Sequence, residues 1–171
     1  DCYFIECSGK SGKGVVTRLN NNHIKCNCLE SYEPGIYQKT IISLKQVLTK
    51  QYDFYIRTNL NSFIIFPNLL HNLTRIKSSD EFNTPLYTGF YYNTSWIPGY
   101  FIVLNHKAAT VLVDKGYDAK YFNEVSPDDL VISKVLSDNN IKPVPIKKTI
   151  KNITTKKSNK ELQEIIREIK K

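Results

Sequence analysis

The sequence contains no apolar run approaching the roughly 18 residues needed to span a bilayer, so no transmembrane helix is expected. Its first residues lack the basic, apolar and small-residue regions of a secretory signal. Alanine (three) and arginine (four) are scarce beside 16 Asn, 19 Ile and 20 Lys. That bias is expected of AT-rich coding sequence and says little about chemistry. No internal repeat is visible. Cysteine is also sparse, at positions 2, 7, 26 and 28. Without a second C-x-x-C or a suitably spaced His there is no zinc set. Cys26 and Cys28 stand two apart in the strand-like HIKCNC and share a face, so they are badly placed to bond each other. A domain of this size needs no disulfide, and reduced, mostly buried thiols are expected.

With 171 residues, 41% hydrophobic and 23% charged, the chain has the composition of one globular domain and not of a disordered one. The net charge of +8 suggests a polyanion partner until it is located. Residues 142–171 carry ten Lys or Arg against three Glu, and residues 1–141 carry fourteen against thirteen acids, so +7 sits in the tail and +1 in the body. The sequence therefore divides into a body, 1–146, and a basic linker with a terminal helix, 147–171. In SNKELQEIIREIKK, Ser158 and Glu161 form a capping box, and Leu162, Ile165, Ile166 and Ile169 make one apolar stripe. Such a helix docks on its own domain or on a twin subunit, giving a homodimer, or else on a membrane surface or anionic partner. No nucleic-acid partner is expected for the near-neutral body.

YFIEC reads as a strand. The following SGKSGKG is no Walker loop, because Phe4 stands where the leading Gly is required and no helix opens after it; a hairpin or loop is expected. HIKCNC is a second strand, then Pro34-Gly35 turns into a helix over about 36–50 with Tyr37, Ile41, Leu44 and Leu48 on one face. DFYIR is a third strand, apolar enough for the interior of a sheet covered on both sides. FIIF precedes a helix begun by Pro67, with Leu69, Leu70, Leu73 and Ile76 inward. LYTGFYY and GYFIVL are strands, HKAATVLVDKG is a helix closed by Gly116, and SPDDLVISKVLSDNN is a helix with Ser126 at its N-cap. The prolines of IKPVPI confine it to a sheet edge. Alternating strands and helices predict an α/β fold with a largely parallel sheet.

Four blocks, in order, resemble the GT-A-type glycosyltransferases, in particular the β1,3-galactosyltransferase and Fringe-like families. They are ESYEPGIYQKTIISLKQVL, YDFYIRTNLNSFIIFPNLLHNL, WIPGYFIVLNHKAATVLV and SPDDLVISKVLSDNNIKPVP, spanning about residues 28–146. The resemblance implies a compact, Rossmann-like GT-A sheet flanked by helices and lacking the first nucleotide-binding strand. It implies transfer of a hexose from a UDP-sugar, UDP-glucose or UDP-galactose, to a glycan or protein hydroxyl with inversion. The stretch also resembles an Arg-Thr-Asn-Leu-(Ser/Asn)-Ser-Phe variant of viral and microbial relatives, and a viral origin would imply the host cytoplasm or the virion. The families' metal-holding acidic positions are occupied here by Asn59 and Asn61. Neutral amide oxygens hold Mn²⁺ or Mg²⁺ weakly or not at all. The alternative is a non-catalytic nucleotide-sugar- or glycan-binding member.

The same resemblance assigns roles. Asp129, with Asp128 beside it, is the candidate general base; two acids after Ser-Pro are equally a good helix start. Lys39, Arg57, Thr58, Asn59 and Asn61 are candidate donor-binding residues. Arg57 and Lys39 would supply charge to the diphosphate in the metal's place, or simply form ion pairs. Trp96, Gly99 and Tyr100 are candidate acceptor-binding residues, the two aromatics being equally suited to a core. Ser133 stands where these families have Gly after the acidic pair. His23, His71 and His106 read as structural, and the sequons at Asn72, Asn93 and Asn152 are near chance in so Asn-rich a chain.

Overall fold

The computed structural model describes residues 1–9, 16–20, 22–59, 62–89, 96–146 and 150–152. The elements run β1 (Phe4–Cys7), β2 (Val16–Asn20), β3 (His23–Cys26), α1 (Gly35–Leu48), β4 (Phe54–Thr58), β5 (Ser62–Ile64) and α2 (Phe66–Lys77). A 3-10 turn (Asp80–Asn83) leads to β6 (Tyr87–Gly89), β7 (Phe101–Asn105), α3 (His106–Gly116), α4 (Ala119–Phe122), α5 (Asp128–Ser137), β8 (Pro143–Pro145) and β9 (Ile150–Asn152). The terminal helix and most of the basic linker lie outside the described residues, as do Asn61 and Asn93.

The class is α/β, but the sheet is not largely parallel. The four-stranded sheet runs β4-β7-β6-β8, with β4/β7 and β6/β7 antiparallel and only β6/β8 parallel. The three-stranded sheet, β1-β3-β2, has β1 parallel and β2 antiparallel to β3, and β5 pairs antiparallel with β9. Alternation of strands and helices does not fix strand direction. A parallel neighbour needs a crossover, whereas the described residues between β6 and β7 form no helix and the chain turns back beside its own strand.

All five residues of β7 are buried, and their two-residue period divides the core. Ile102 and Leu104 face the cluster built by α1, α3 and α5, while Phe101 and Val103 face Leu69 of α2. The sheet is thus covered on both faces. Within α1, Tyr37, Ile41 and Leu44 are buried as their spacing predicts. In α2, Leu69 and Ile76 are buried, but Leu70 is 67% exposed and belongs to the opposite face. Helix α5 begins with Pro127 at its N-cap, and Ser126 instead donates to Glu124 Oε1 at 3.4 Å. Gly116 ends α3 without a left-handed cap. It is small because Tyr37 Oη donates to its carbonyl at 3.1 Å and a Cβ would stand 2.7 Å from that oxygen. The edge position of IKPVPI is as its prolines dictate, β8 bordering β6 alone among the described strands. DFYIR, by contrast, becomes an edge: β4 pairs with β7 alone among the described strands.

The cysteines correct the expectation of reduced thiols. Cys7 and Cys28 form a disulfide, their Cα atoms 5.2 Å apart. Cys26 is free and buried, and burial pushes its thiol up to about 12, Lys39 opposing; Cys2 is free and exposed. Cys26 and Cys28 are indeed unpaired with each other. What the local spacing omits is that β1, parallel to β3, brings Cys7 opposite Cys26 and within reach of the residue two further on. The crosslink closes a segment of sequence separation 21. Removing it with Cys7→Ser/Cys28→Ser is expected to lower the unfolding free energy in urea by roughly 3 kcal/mol. An unchanged midpoint and slope would contradict a formed disulfide.

Candidate active site

The strand β4 ends in Arg57 and Thr58, which pair with Ile102 and Phe101 of β7. The loop entering β7, residues 96–100, lies over that end, and α5 starts beside it. Arg57 Nη2 stands 2.8 Å from Asp128 Oδ2, with side chains 19% and 9% exposed. The contact is ionic and not aligned as a hydrogen bond; Arg57 Nη1 and Asp128 Oδ2 are buried with no hydrogen-bond partner among the described residues. Burial raises the Asp128 carboxyl above its ordinary value, Arg57 offsetting part of the rise and Asp129 adding to it. Burial likewise lowers the Arg57 pKa against the opposing pull of Asp128 and Asp129.

Asp129 is pinned by backbone. Its Oδ2 accepts from Gly99 N at 3.0 Å and its Oδ1 from Leu130 N at 2.9 Å. Gly99 is required for this approach, since a Cβ there would stand 2.6 Å from Arg57 Nη1 and 3.3 Å from Asp128 Oδ1. The loop is held at both ends. Ile97 N donates to Tyr87 Oη at 2.9 Å, and the Tyr100 carbonyl accepts from Thr58 Oγ1 at 3.0 Å and Ser62 Oγ at 2.9 Å. Burial drives the Tyr87 hydroxyl up to about 12, its bonds to Ile97 and to buried Ser133 working the other way.

Of the expected site residues, the fold brings together Arg57, Thr58, Gly99, Tyr100, Asp128 and Asp129. Asn59 follows at the exposed end of β4, where its carbonyl accepts from Ser62 N at 3.0 Å. Half-buried Trp96 opens the loop. The Tyr100 ring is partly buried against Leu69, Phe101 and Val103. Lys39 takes the ion-pair role: its ammonium lies 2.6 Å from Glu30 Oε1 and holds that carboxyl below its usual range. Tyr87 carried no signal in the sequence and Ser133 only that of a departure from Gly; their pairing arises because the fold brings β6 and α5 together.

A divalent cation does not fit this donor set. Asn59 offers an amide oxygen, and Asp128 already faces a guanidinium. Among the described residues no group of three or more His, Cys, Asp or Glu is arranged to hold a metal ion. No described helix is long and apolar enough to cross a membrane. Compared with known proteins, the chain matches no family model and no curated protein.

The pair sets a pH signature. With its carboxyl raised in the folded state, Asp128 binds more protons there than in the unfolded chain. Its contribution to stability therefore falls as pH rises from the ordinary aspartate value, about 4, through the folded value, and is level above it. The unfolding free energy of wild type minus that of Asp128→Asn should decline over that interval. Near neutral pH, Arg57→Ala should cost about 3–5 kcal/mol by stranding the carboxylate. A difference that grows with pH would overturn the assignment.

Proposed function

We propose that the chain is a glycosyltransferase that binds a UDP-hexose at the β4 end and transfers the sugar to a hydroxyl with inversion. The observation that supports it most is Arg57 Nη1, a buried cationic donor with no partner among the described residues, beside two carboxylates and under a glycine loop. A guanidinium so placed suits a diphosphate, whose oxygens would accept the missing hydrogen bond. Asp129 removes the acceptor hydroxyl's proton as that oxygen attacks the anomeric carbon. The bond to the diphosphate oxygen breaks with its electron pair, and Arg57 stabilises the departing charge. Asp128 keeps Arg57 in position. No step passes through a metal.

A second reading is favoured by one contact set: both Asp129 oxygens already accept backbone N–H bonds, as a helix-start residue's would. On that reading the site binds a nucleotide sugar or glycan without chemistry.

Calorimetric titration with UDP-glucose and UDP-galactose, with and without Mn²⁺, separates these readings. Binding that survives a chelator is expected, with Arg57→Lys weakening it at least about tenfold. Asp129→Asn is expected to leave binding intact and lower turnover about 10²–10⁴-fold. Binding without product across glycan and hydroxylated-peptide acceptors would favour the second reading, and no binding at all would end both.

A further inference from the structure

Helix α2 turns one apolar stripe inward and keeps a second at the surface. Leu69 and Ile76 are buried, whereas Phe66 and Leu70, one turn apart and so adjacent on the helix, are 69% and 67% exposed. Ile56 of β4 extends the same patch. It pairs with Val103, whose side chain packs with Leu69, and directly opposed residues of an antiparallel pair share a face. Ile56 therefore stands on the α2 side of the sheet. It is 39% exposed, on a strand that pairs with β7 alone among the described strands. Ile56, Ile64, Phe66 and Leu69 all border the gap between the sheets, which Ile5 and Ile24 line from the other side. The apolar surface is thus continuous from helix to strand, and a contiguous set of this kind marks a contact surface where a lone exposed residue would not.

The chain itself delivers a covering element to this place. Strand β9 pairs with β5 so that Ile150 lies opposite Ile64 and Asn152 opposite Ser62, four residues before Phe66. That register fixes where the rest of the chain, residues 153–171, sets out. Those residues lie outside the described ones, but their sequence carries the capping box of Ser158 and Glu161 and the stripe Leu162, Ile165, Ile166 and Ile169. From Asn152 to Ser158 the chain reaches up to about 20 Å, and Ser62 to Phe66 spans at most about 14 Å. With about 5 Å across the strand pair, the start of α2 is within reach. A helix over 159–171 is about 20 Å long, and the 12 residues of α2 make about 18 Å, so the two match in length. Charge fits the parallel direction that the tether dictates. Lys77, seven residues after Leu70 on the same stripe, is already paired with Asp53 at 2.5 Å. The basic end of the segment, Arg167, Lys170 and Lys171, would then come to the turn that follows α2, where Asp80 and Glu81 are exposed.

We infer that Phe66, Leu70 and Ile56 form the docking surface for the chain's own C-terminal segment, residues 158–171, which lies along α2 as a helix with its isoleucine stripe on the patch. A helix of this length is marginal in water by itself, so burial of the stripe is what holds it folded. The five-residue tether keeps the stripe beside the patch at an effective concentration of about millimolar order, which a second copy or a membrane surface would have to outcompete. The docked helix covers the α2 side of the β4 edge, one of the ways in which proteins protect a sheet edge. The inference does not depend on the proposed transfer chemistry.

Amide hydrogen exchange on the full chain tests the contact from the segment's side. Amides of residues 162–169 are expected to exchange at least about tenfold more slowly than in a free peptide of the same sequence, and equally so across about a hundredfold dilution. Leu70→Asp, at an exposed position, should return them to the peptide's rate while the amides of α1 stay as slow as in wild type. Thiol labelling tests it from the other side. In Leu70→Cys the new thiol should react slowly with iodoacetamide, and adding Ile166→Asp should speed that reaction about tenfold or more. Free exchange of 162–169 in wild type overturns the inference, as does protection that survives Leu70→Asp or labelling that Ile166→Asp leaves unchanged. Protection that fades on dilution together with a dimer, or that appears only with phosphatidylserine-containing vesicles, also overturns it, the partner then being a second copy or an anionic membrane.

Discussion

A guanidinium and a carboxylate that leave water together cannot afterwards be separated without heavy cost, and the pair Arg57–Asp128 imposes that constraint here. It joins the end of β4 to the start of α5, elements seventy residues apart in the chain. Everything nearby is arranged around the pair. Gly99 lacks a side chain because the pair occupies the space, and the loop's own N–H then falls on Asp129. Tyr87 and Ser133 are buried polar groups that satisfy each other and Ile97 N, so the loop has one conformation in which its polar atoms are paired. The pair is nevertheless incompletely satisfied among the described residues, with Nη1 of one partner and Oδ2 of the other lacking hydrogen bonds. Buried polar groups of that kind are costly in a purely structural role, and they recur where a ligand supplies what is missing.

Much of the architecture was legible as elements and little as directions. The helical spacing in IYQKTIISLKQVL and the apolar run of FIVLN identify α1 and β7, because burial on one face or on two leaves a local periodic trace. Strand direction leaves no such trace. It is set by whether the chain crosses over or turns back, and a general alternation of strands and helices does not say which. The disulfide failed for a related reason. Spacing within HIKCNC correctly separates Cys26 from Cys28, but the partner of Cys28 is decided by a parallel pairing with β1 made across twenty residues. Leu70 was assigned inward by treating every leucine of α2 as core, whereas its exposure shows that the buried stripe is narrow, through Leu69 and Ile76.

The site was legible where residue type and chain position coincide. The end of β4 lies beside the start of β7 because the two are antiparallel, and the loop entering β7 meets the start of α5, so Arg57, Asp128 and Asp129 come together in a mixed sheet. Lys39 does not depend on that geometry. It sits on α1 within reach of Glu30, and the nearer opposite charge takes it. The aromatic at 100 was ambiguous between stacking and packing, and its ring lies against the apolar cluster beneath the loop.

The one strand whose composition and position disagree is also the one that carries the site. FYIRT is written for a covered interior strand and lies at an edge, with its last two residues bordering the gap between the sheets as well as the charged cluster. An edge strand frays from its end, because each residue there is held by one neighbour instead of two. The residues that would fray first are Arg57 and Thr58, which hold the ion pair and the Tyr100 carbonyl. A strand paired on both sides would hold the guanidinium in register against α5. Among the described residues, the edge of β4 that borders no other strand and the unmet donor of Arg57 thus lie on one strand, and whatever steadies the register of that strand steadies the guanidinium against α5.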